Sequence, residues 1–524
     1  MYKRLIYPIF IIFLLVLSGC QKPSSEPDLV YGLTLSPTGI DPHLNASSEL
    51  GIPLQSVYDT LIFRDPANGN FVPGLAESWL ISSDELTYTF SLRTDVSFHD
   101  GTQFNASAVR TNLDRILNPD NHSQKAFSLL GPLESATVED EYTIALHLRT
   151  PYGALLDALS QVYLGMASPS ALEEWGTEYQ FHQVGTGPYR FVEYIPENHI
   201  LLERNEAYAW APSFINVSDH PPQRIEFRFY ADPATRALAL ESGEVDIMGE
   251  IPMHDARRLS ATDSFDLLAV PIPGQPLQYF FNTTLSPTDD PLVREALFQG
   301  IDRAAIVETI FGSSSPPAGD VVSASMQTFP TATRFGETDS GIAQELLDQA
   351  GWLLDEESGV RKKDGVPIFI RIAAPTWGMN PEVCQLMRAD WERLGIQVEI
   401  HVMPGFGQLK EAHDAHEYQL IGINFFGTDP AFLSSFYSSD GLYNWSNVKN
   451  PELDSWLQTA ASLQPELPER AEIYSAAANS IRDQVLILPV RDYVNLVLKR
   501  QSVHGLRYSA EGWFPLLIEL SIES

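Results

Sequence analysis

The sequence predicts an α/β protein of several domains, with partly parallel sheets covered by helices, and three observations lead there. The chain has 524 residues, which at roughly 150 residues per domain argues for about three domains. Hydrophobic residues make up 44% and aromatics 11%, ample for large packed cores and incompatible with a disordered chain. In the second half, apolar stripes at helical spacing alternate with short apolar runs, and glycine closes many of the helices.

In chain order, "LTYTFSLRTDVSFHDG" alternates apolar and polar positions among β-formers and reads as a strand pair. "FNASAVRTNLDRIL" opens with Asn105 as N-cap, and Ala108, Val109, Leu113, Ile116 and Leu117 form a helical stripe. "EDEYTIALHLR" and "HILLERN" are further strands, and "PATRALALESGEVDIM" is a helix stopped by Gly243 before a short strand. Pro291 opens one helix at its first turn and Gly312 closes the next. "IAQELLDQAG" and "NPEVCQLMRADWERLG" are helices, interleaved with the strands "DGVPIFIRIA" and "IQVEIHVM". Two late helices, "NPELDSWLQTAASL" and "RAEIYSAAANSIRDQ", precede the buried strand "VLILPV".

The formal net charge of −35 repels phosphate backbones and anionic headgroups, so no nucleic-acid partner is expected. At the N-terminus, Lys3 and Arg4 precede an apolar run from Leu5 to Leu17, too short for a comfortable membrane span and shaped as a secretory signal. It ends in "LSGC", which resembles the bacterial lipoprotein signal: residues 1–19 would be removed, Cys20 lipidated, and residues 20–27 left as a linker. Loss of Lys3 and Arg4 takes the charge from −35 to −37. Cys384 then remains as the single thiol, so no internal disulfide is possible.

Catalytic signatures are missing: there is no GxSxG, HExxH, CxxC or GxxxxGK[ST], so neither an enzyme nor a cofactor is expected. "VGTGPY" lacks the lysine and hydroxyl of a phosphate cradle and reads as a turn. "EAHDAHEY" places His413 and His416 three apart beside Glu417, but no distant ligands complete a metal set, and a polar helix or loop is expected. "FHDG" pairs His99 with Asp100, yet Asp100-Gly101 is a turn signal ahead of the Asn105 cap, and the turn is the expected reading.

Residues 74–109, "GLAESWLISSDELTYTFSLRTDVSFHDGTQFNASAV", resemble the signature of family 5 extracellular solute-binding proteins, the peptide- and nickel-type receptors of ABC importers. The resemblance continues in order through "IDPHLNAS", "VYDTLIFRD", "VGTGPYRFVEY", "ALESGEVDI", "PLVREALFQGIDRAAIVETIFG", "LLDQAGW", "GIQVEI" and "NPELDSWL". It implies a periplasmic-binding-protein-like fold of the type II, dipeptide-binding-protein-like kind: two mixed α/β lobes, a hinge and a smaller extra domain. Lobe I would comprise 28–56, 185–272 and 488–524, the extra domain 57–184, and lobe II 273–487. The resemblance also implies partners: ABC permease subunits, a small solute such as an oligopeptide held in the interlobe cleft, and the membrane reached through the lipid anchor. A monomer is expected, exported to the outer face of the cytoplasmic membrane or the periplasm.

Peptide-binding members typically hold a peptide's amino group with an aspartate, and here Phe426 occupies that place in "GINFFGTDP". Where dipeptide binders often carry a carboxylate-binding arginine, Trp377 stands in "PTWGMNP". The resemblance places solute contacts at Ser47, Tyr279, Asn282, Trp377, Asn424, Phe425, Phe426, Asp429 and Trp445, with Asp429 able to replace the missing aspartate if its loop shifts. The aromatic set would suit sugar faces or apolar side chains. An oligosaccharide or metal-chelate receptor of the same fold, or a surface hydrolase or adhesion module, remains the alternative to a peptide receptor.

Overall fold

The computed structural model describes residues 26–523 except residue 38 and residues 327–334. The expected signal and Cys20 lie outside the described residues. Two mixed sheets carry the architecture. The first orders seven strands as Phe265–Pro271, Val494–Arg500, Ile247–Met248, Leu29–Leu33, Arg224–Phe229, His199–Arg204 and Tyr189–Ile195. Leu29–Leu33 runs parallel to both its neighbours, and the other pairs are antiparallel. The second orders five strands as Gln397–Met403, Phe369–Pro375, Leu420–Gly422, Leu277–Phe281 and Ile487–Arg491, the first three mutually parallel. A third, antiparallel sheet of Ala76–Ile81, Thr87–Leu92, Thr143–Leu148 and Leu133–Asp140 forms a smaller domain backed by the helix Ala106–Leu117.

Local chemistry fixes these elements. Asn105 caps its helix by accepting from the Ala108 N–H at 3.0 Å, and Asp232 and Asp290 cap two proline-led helices in the same way. Gly243 and Gly351 follow helices with left-handed φ of 84° and 85°, which a Cβ would oppose. The strand Leu277–Phe281 is buried along its whole length because both faces of its sheet are covered. Tyr279 and Phe281 join the core on one face with Ile370 and Leu420, while Phe280 joins Ile421 and Leu457 on the other.

"FHDG" is a turn. Gly101, at φ 87°, donates to the Phe98 carbonyl at 2.9 Å, and the Phe98 ring is buried. The His99 N–H donates to Gly185 O at 2.9 Å and its Nε2 lies 2.9 Å from Gly187 O, so "FHDG" and "VGTGPY" hold each other. Burial pushes the His99 imidazole down to about 4, which keeps it neutral at physiological pH.

The chain passes from the first sheet to the second between Pro271 and Leu277 and returns between Arg491 and Val494. The return falls after residue 491 and not at the expected 487/488 boundary, because Ile487–Arg491 pairs with Leu277–Phe281 in the second sheet. Ile272 N–H donates to Tyr493 O at 2.9 Å, so the two crossings lie side by side.

Candidate functional site

Parallel strands in α/β sheets place ligands outside their carboxyl ends, and here both sheets turn those ends toward the crossings. In the first lobe, Leu33 and Met248 end adjacent strands and lead to Thr34 and Glu250. In the second lobe, Pro375 and Gly422 lead to Trp377 and to the loop Asn424–Asp429. The first crossing holds that loop closely: Gln275 N–H donates to Phe425 O at 2.8 Å and Gly427 N–H to Pro273 O at 3.1 Å. Gly274 makes this possible, since at its φ of 127° a Cβ would sit 2.3 Å from the Phe425 carbonyl oxygen.

The small domain supplies the facing wall. Between it and the second lobe is a cavity of about 60 Å³ whose lining includes Leu129, Tyr152, Gln161, Phe425, Phe432 and Tyr443. Hydrogen bonds joining the two bodies include Thr428 Oγ1 to Asp157 Oδ1 at 2.5 Å, Gly153 N–H to Ala461 O at 2.9 Å, and Gln464 Nε2 to the Glu85 carboxylate and the Tyr88 hydroxyl, both at 2.9 Å. Asp157 also accepts from Arg64 and from Gln161, and burial raises its carboxyl above the usual range against the pull of Arg64. A smaller cavity of about 40 Å³ lies beside Asp59, Phe63 and Tyr208. The Asp59 carboxylate is already satisfied by Thr186, Tyr208 and Trp210.

One cation stands apart. Lys125 opens the helix Lys125–Leu130, and its Nζ lies 4.2 Å from the Tyr163 ring centroid and 5.1 Å from that of Phe425. Among the described residues no carboxylate lies within ion-pair distance of it; Glu511 acts only at longer range. Burial lowers the ammonium to about 8. An ammonium stacked on two rings and lacking a counter-ion is a ready partner for an anionic solute group.

The structure brings several of the expected contacts together here. Phe425 and Phe426 are half-buried on the loop, with Asn424 beside them. Phe426 packs on Tyr493 at 4.9 Å and Trp513 at 5.5 Å between ring centroids. The Ser47 carbonyl accepts from the Tyr163 hydroxyl at 2.9 Å, so Ser47 shares that ring with Lys125. Trp377 is half-buried against the second-lobe core, one residue before Gly378, which lies close to Tyr493.

Four residues have other duties. Asp429 accepts from the Ala431 N–H at 2.8 Å and from Arg470 Nη2 at 2.7 Å, so its Oδ1 is committed to a helix cap and a buried ion pair. Tyr279 is fully buried, with its hydroxyl between the Cys384 thiol and the Asn380 carbonyl. Asn282 holds Tyr418 O and Thr284, and Trp445 lies in the core between Phe406 and His413. Tyr279 faces inward by strand alternation, and the others are held by the second lobe's double-sided core and by the partners just given. His413 lies in the last turn of its helix while His416 sits beyond it at φ 52°, and Nδ1 of His413 lies 3.1 Å from Asp414. Sequence reasoning missed Lys125, Tyr163, Trp513 and Glu250; no periodicity marks them, since each comes from a different stretch of chain.

Comparison with known proteins bears on the family and the fold. The profile described as bacterial extracellular solute-binding proteins, family 5 middle, matches residues 70–446. A glutathione-binding protein GsiB of Pectobacterium atrosepticum is 33% identical over 469 residues, covering 87% of this chain and 86% of that protein. The GsiB of Salmonella typhimurium is 36% identical over 445 residues, covering 82% and 81% respectively. Among solved structures, NikA of Brucella suis in complex with Fe(III)-EDTA superposes with a TM-score of 0.84 at 23% identity, covering 95% of this chain and all of that one. The dipeptide-binding protein of Pseudoalteromonas sp. SM9913 in complex with Met-Leu gives 0.80 at 21% identity, covering 94% and 100%.

Proposed function

We propose that this chain, which belongs to the family 5 bacterial extracellular solute-binding proteins, binds a short peptide or peptide-like solute carrying a free carboxylate. The family delivers small solutes to ABC permeases from outside the cytoplasmic membrane, and the hinged cleft between two lobes suits capture by closure. Lys125 carries the proposal: its ammonium faces Phe425 across the cleft between two rings, with no carboxylate among the described residues in contact with it. The solute's carboxylate lies on Lys125, and its body lies on Phe425 and Phe426. Among the similar proteins named above, the GsiB receptors bind glutathione and one neighbour holds a dipeptide, and both ligands have this chemistry. Tethering through Cys20 would keep the receptor beside its permease, and Cys20→Ser should release the processed protein from membranes.

The test is calorimetric titration with glutathione, with Met-Leu and with Met-Leu amide. The free acid should bind more tightly than the amide, and Lys125→Met should erase that difference, a loss of roughly 1.5–3 kcal/mol for a charge-assisted contact. Equal affinity for acid and amide in the wild-type protein would sink the role of Lys125. Binding of oligosaccharides or iron–EDTA but of neither peptide would redirect the specificity within the same fold.

A further inference from the structure

Across the cleft from Lys125, the first lobe presents a carboxylate with an unusual setting. Glu250 follows the strand Ile247–Met248 at the carboxyl edge of the sheet and has φ 48°, a left-handed backbone that a non-glycine residue adopts at a cost. That conformation is locked from both sides: its N–H donates to Asn495 Oδ1 at 2.8 Å, and its carbonyl accepts from Arg236 Nη1 at 2.9 Å. The side chain is 17% exposed. Its Oε1 accepts from the Tyr493 hydroxyl, and Tyr493 is the crossing residue whose ring meets Phe426 edge-on at 4.9 Å.

Oε2 is different. Its nearest cation, Arg236 Nη1, is 3.9 Å away, beyond hydrogen-bond reach. The Arg236 guanidinium spends its hydrogen bonds on three backbone carbonyls, those of Tyr230, Ala231 and Glu250 itself. Glu49, the neighbouring carboxylate, is satisfied on both oxygens by Thr34. A buried orphan lies on the same wall: Trp513, 5% exposed and stacked on Phe426, has an Nε1–H with no acceptor among the described residues. Buried polar atoms are rarely left unpaired, so the Trp513 N–H points to a ligand acceptor, and the partly exposed Glu250 Oε2, held only by its 3.9 Å ion pair to Arg236, leaves room for a closer donor beside Tyr493.

We propose that Glu250 anchors the amino group of the solute, taking from the first lobe the role that the aromatic Phe426 cannot perform from the second. The ammonium sits between Glu250 Oε2 and the Phe426 ring, where a carboxylate and a π face both favour a cation, and on the side of Tyr493 away from the Arg491 guanidinium that covers that ring at 4.4 Å. A carbonyl of the same solute accepts from Trp513. This rests on the reading of the cleft as a peptide site. It adds that recognition is two-ended, with the carboxylate on the small domain and the amine on the first lobe, so the second lobe contributes aromatic surface.

The experiment titrates wild-type protein, Glu250→Gln and Tyr493→Phe with glutathione, N-acetyl-glutathione, Met-Leu and N-acetyl-Met-Leu, after thermal unfolding confirms that each variant is folded. Wild type should prefer the free amines by roughly 10- to 100-fold, and Glu250→Gln should shrink that preference to within about threefold while binding the acetylated peptides as wild type does. Tyr493→Phe, which removes the orienting hydroxyl but leaves the backbone and the carboxylate in place, should reduce the preference partway. An amine preference unchanged in both variants overturns the proposal and leaves the peptide reading standing. If none of the four peptides binds wild type, the peptide reading falls and the proposal falls with it.

Discussion

The two walls of the cleft each carry a charged residue next to aromatic rings, and only one of those charges is available. On the second lobe, Asp429 sits in "GTDP" within a run of phenylalanines, but Arg470 and a helix N-terminus hold it, and both members of the pair are more than nine-tenths buried. On the small domain, Lys125 stands on Tyr163 and Phe425 with no carboxylate in contact. The difference teaches that residue type and neighbourhood do not mark a binding group. What marks it is whether the fold has already supplied its counter-charge, and that is a property of the partner element. The helix Pro468–Asp483 supplies Arg470 from beneath the loop, whereas among the described residues no acid is in contact with Lys125 and Glu511 acts only from farther off.

The comparison breaks most sharply at the satisfied charge. Arg470→Ala leaves Asp429 buried and unpaired and also removes the bond from Arg470 Nε to Ala460 O. It should cost about 3–5 kcal/mol of stability, read from denaturant midpoints. A variant that unfolds like wild type yet binds no peptide would make Asp429 and Arg470 part of the site and erase the contrast between the walls.

A second prediction separates the walls sterically. A Cβ on Gly153 would lie 1.8 Å from the Leu463 carbonyl oxygen, directly at the contact between small domain and second lobe. Gly153→Ala should therefore force that contact open, with a penalty of about 1–3 kcal/mol typical of overpacking. If solute capture requires the walls to meet, the loss should appear mainly as weakened peptide affinity in calorimetry, with a larger radius of gyration in solution scattering. Unaltered affinity would show that the solute is held by one wall alone.

The mildest perturbation is pH. The Lys125 ammonium, lowered to about 8 by burial, is charged below that value and neutral above it. A bound carboxylate stabilises the charged form, so peptide affinity should be level below about pH 8 and fall as pH rises past it, by up to tenfold per unit. Lys125→Met should give weak, flat binding over the same range. A wild-type profile that stays flat to pH 10, measured with a free-acid peptide, would show that the ammonium does not touch the solute.

Much of the molecule is legible in its sequence. Glycine stops, Asx caps and proline-led first turns depend on a few adjacent residues, so the helices beginning at Ala106, Pro233, Pro291 and Pro451 lie close to where their sequences place them. "FHDG" reads correctly as a turn because the Gly101 signal is local. Phe425 and Phe426 are also legible, since they share one loop with the "TDP" cap. The return crossing is harder to locate, because strand pairing between Leu277–Phe281 and Ile487–Arg491 joins residues about two hundred positions apart.

The sequence by itself determined the fold class, the order of elements and the loop that carries the aromatic wall, because these follow from hydrophobic period, caps and turns within short windows. Only the tertiary structure decided which side chains are free to meet the proposed solute. Tyr279, Asn282 and Trp445 carry suitable chemistry, but Tyr279 is turned inward by strand alternation, Asn282 is held by Tyr418 O and Thr284, and Trp445 packs into the core from a loop. Asp429 is taken by Arg470, forty-one residues along the chain. Lys125 and Glu250, from different domains and with no local signature, are placed at the cleft by packing alone. Charge availability is a pairwise property across the fold, and a linear sequence does not state its pairs.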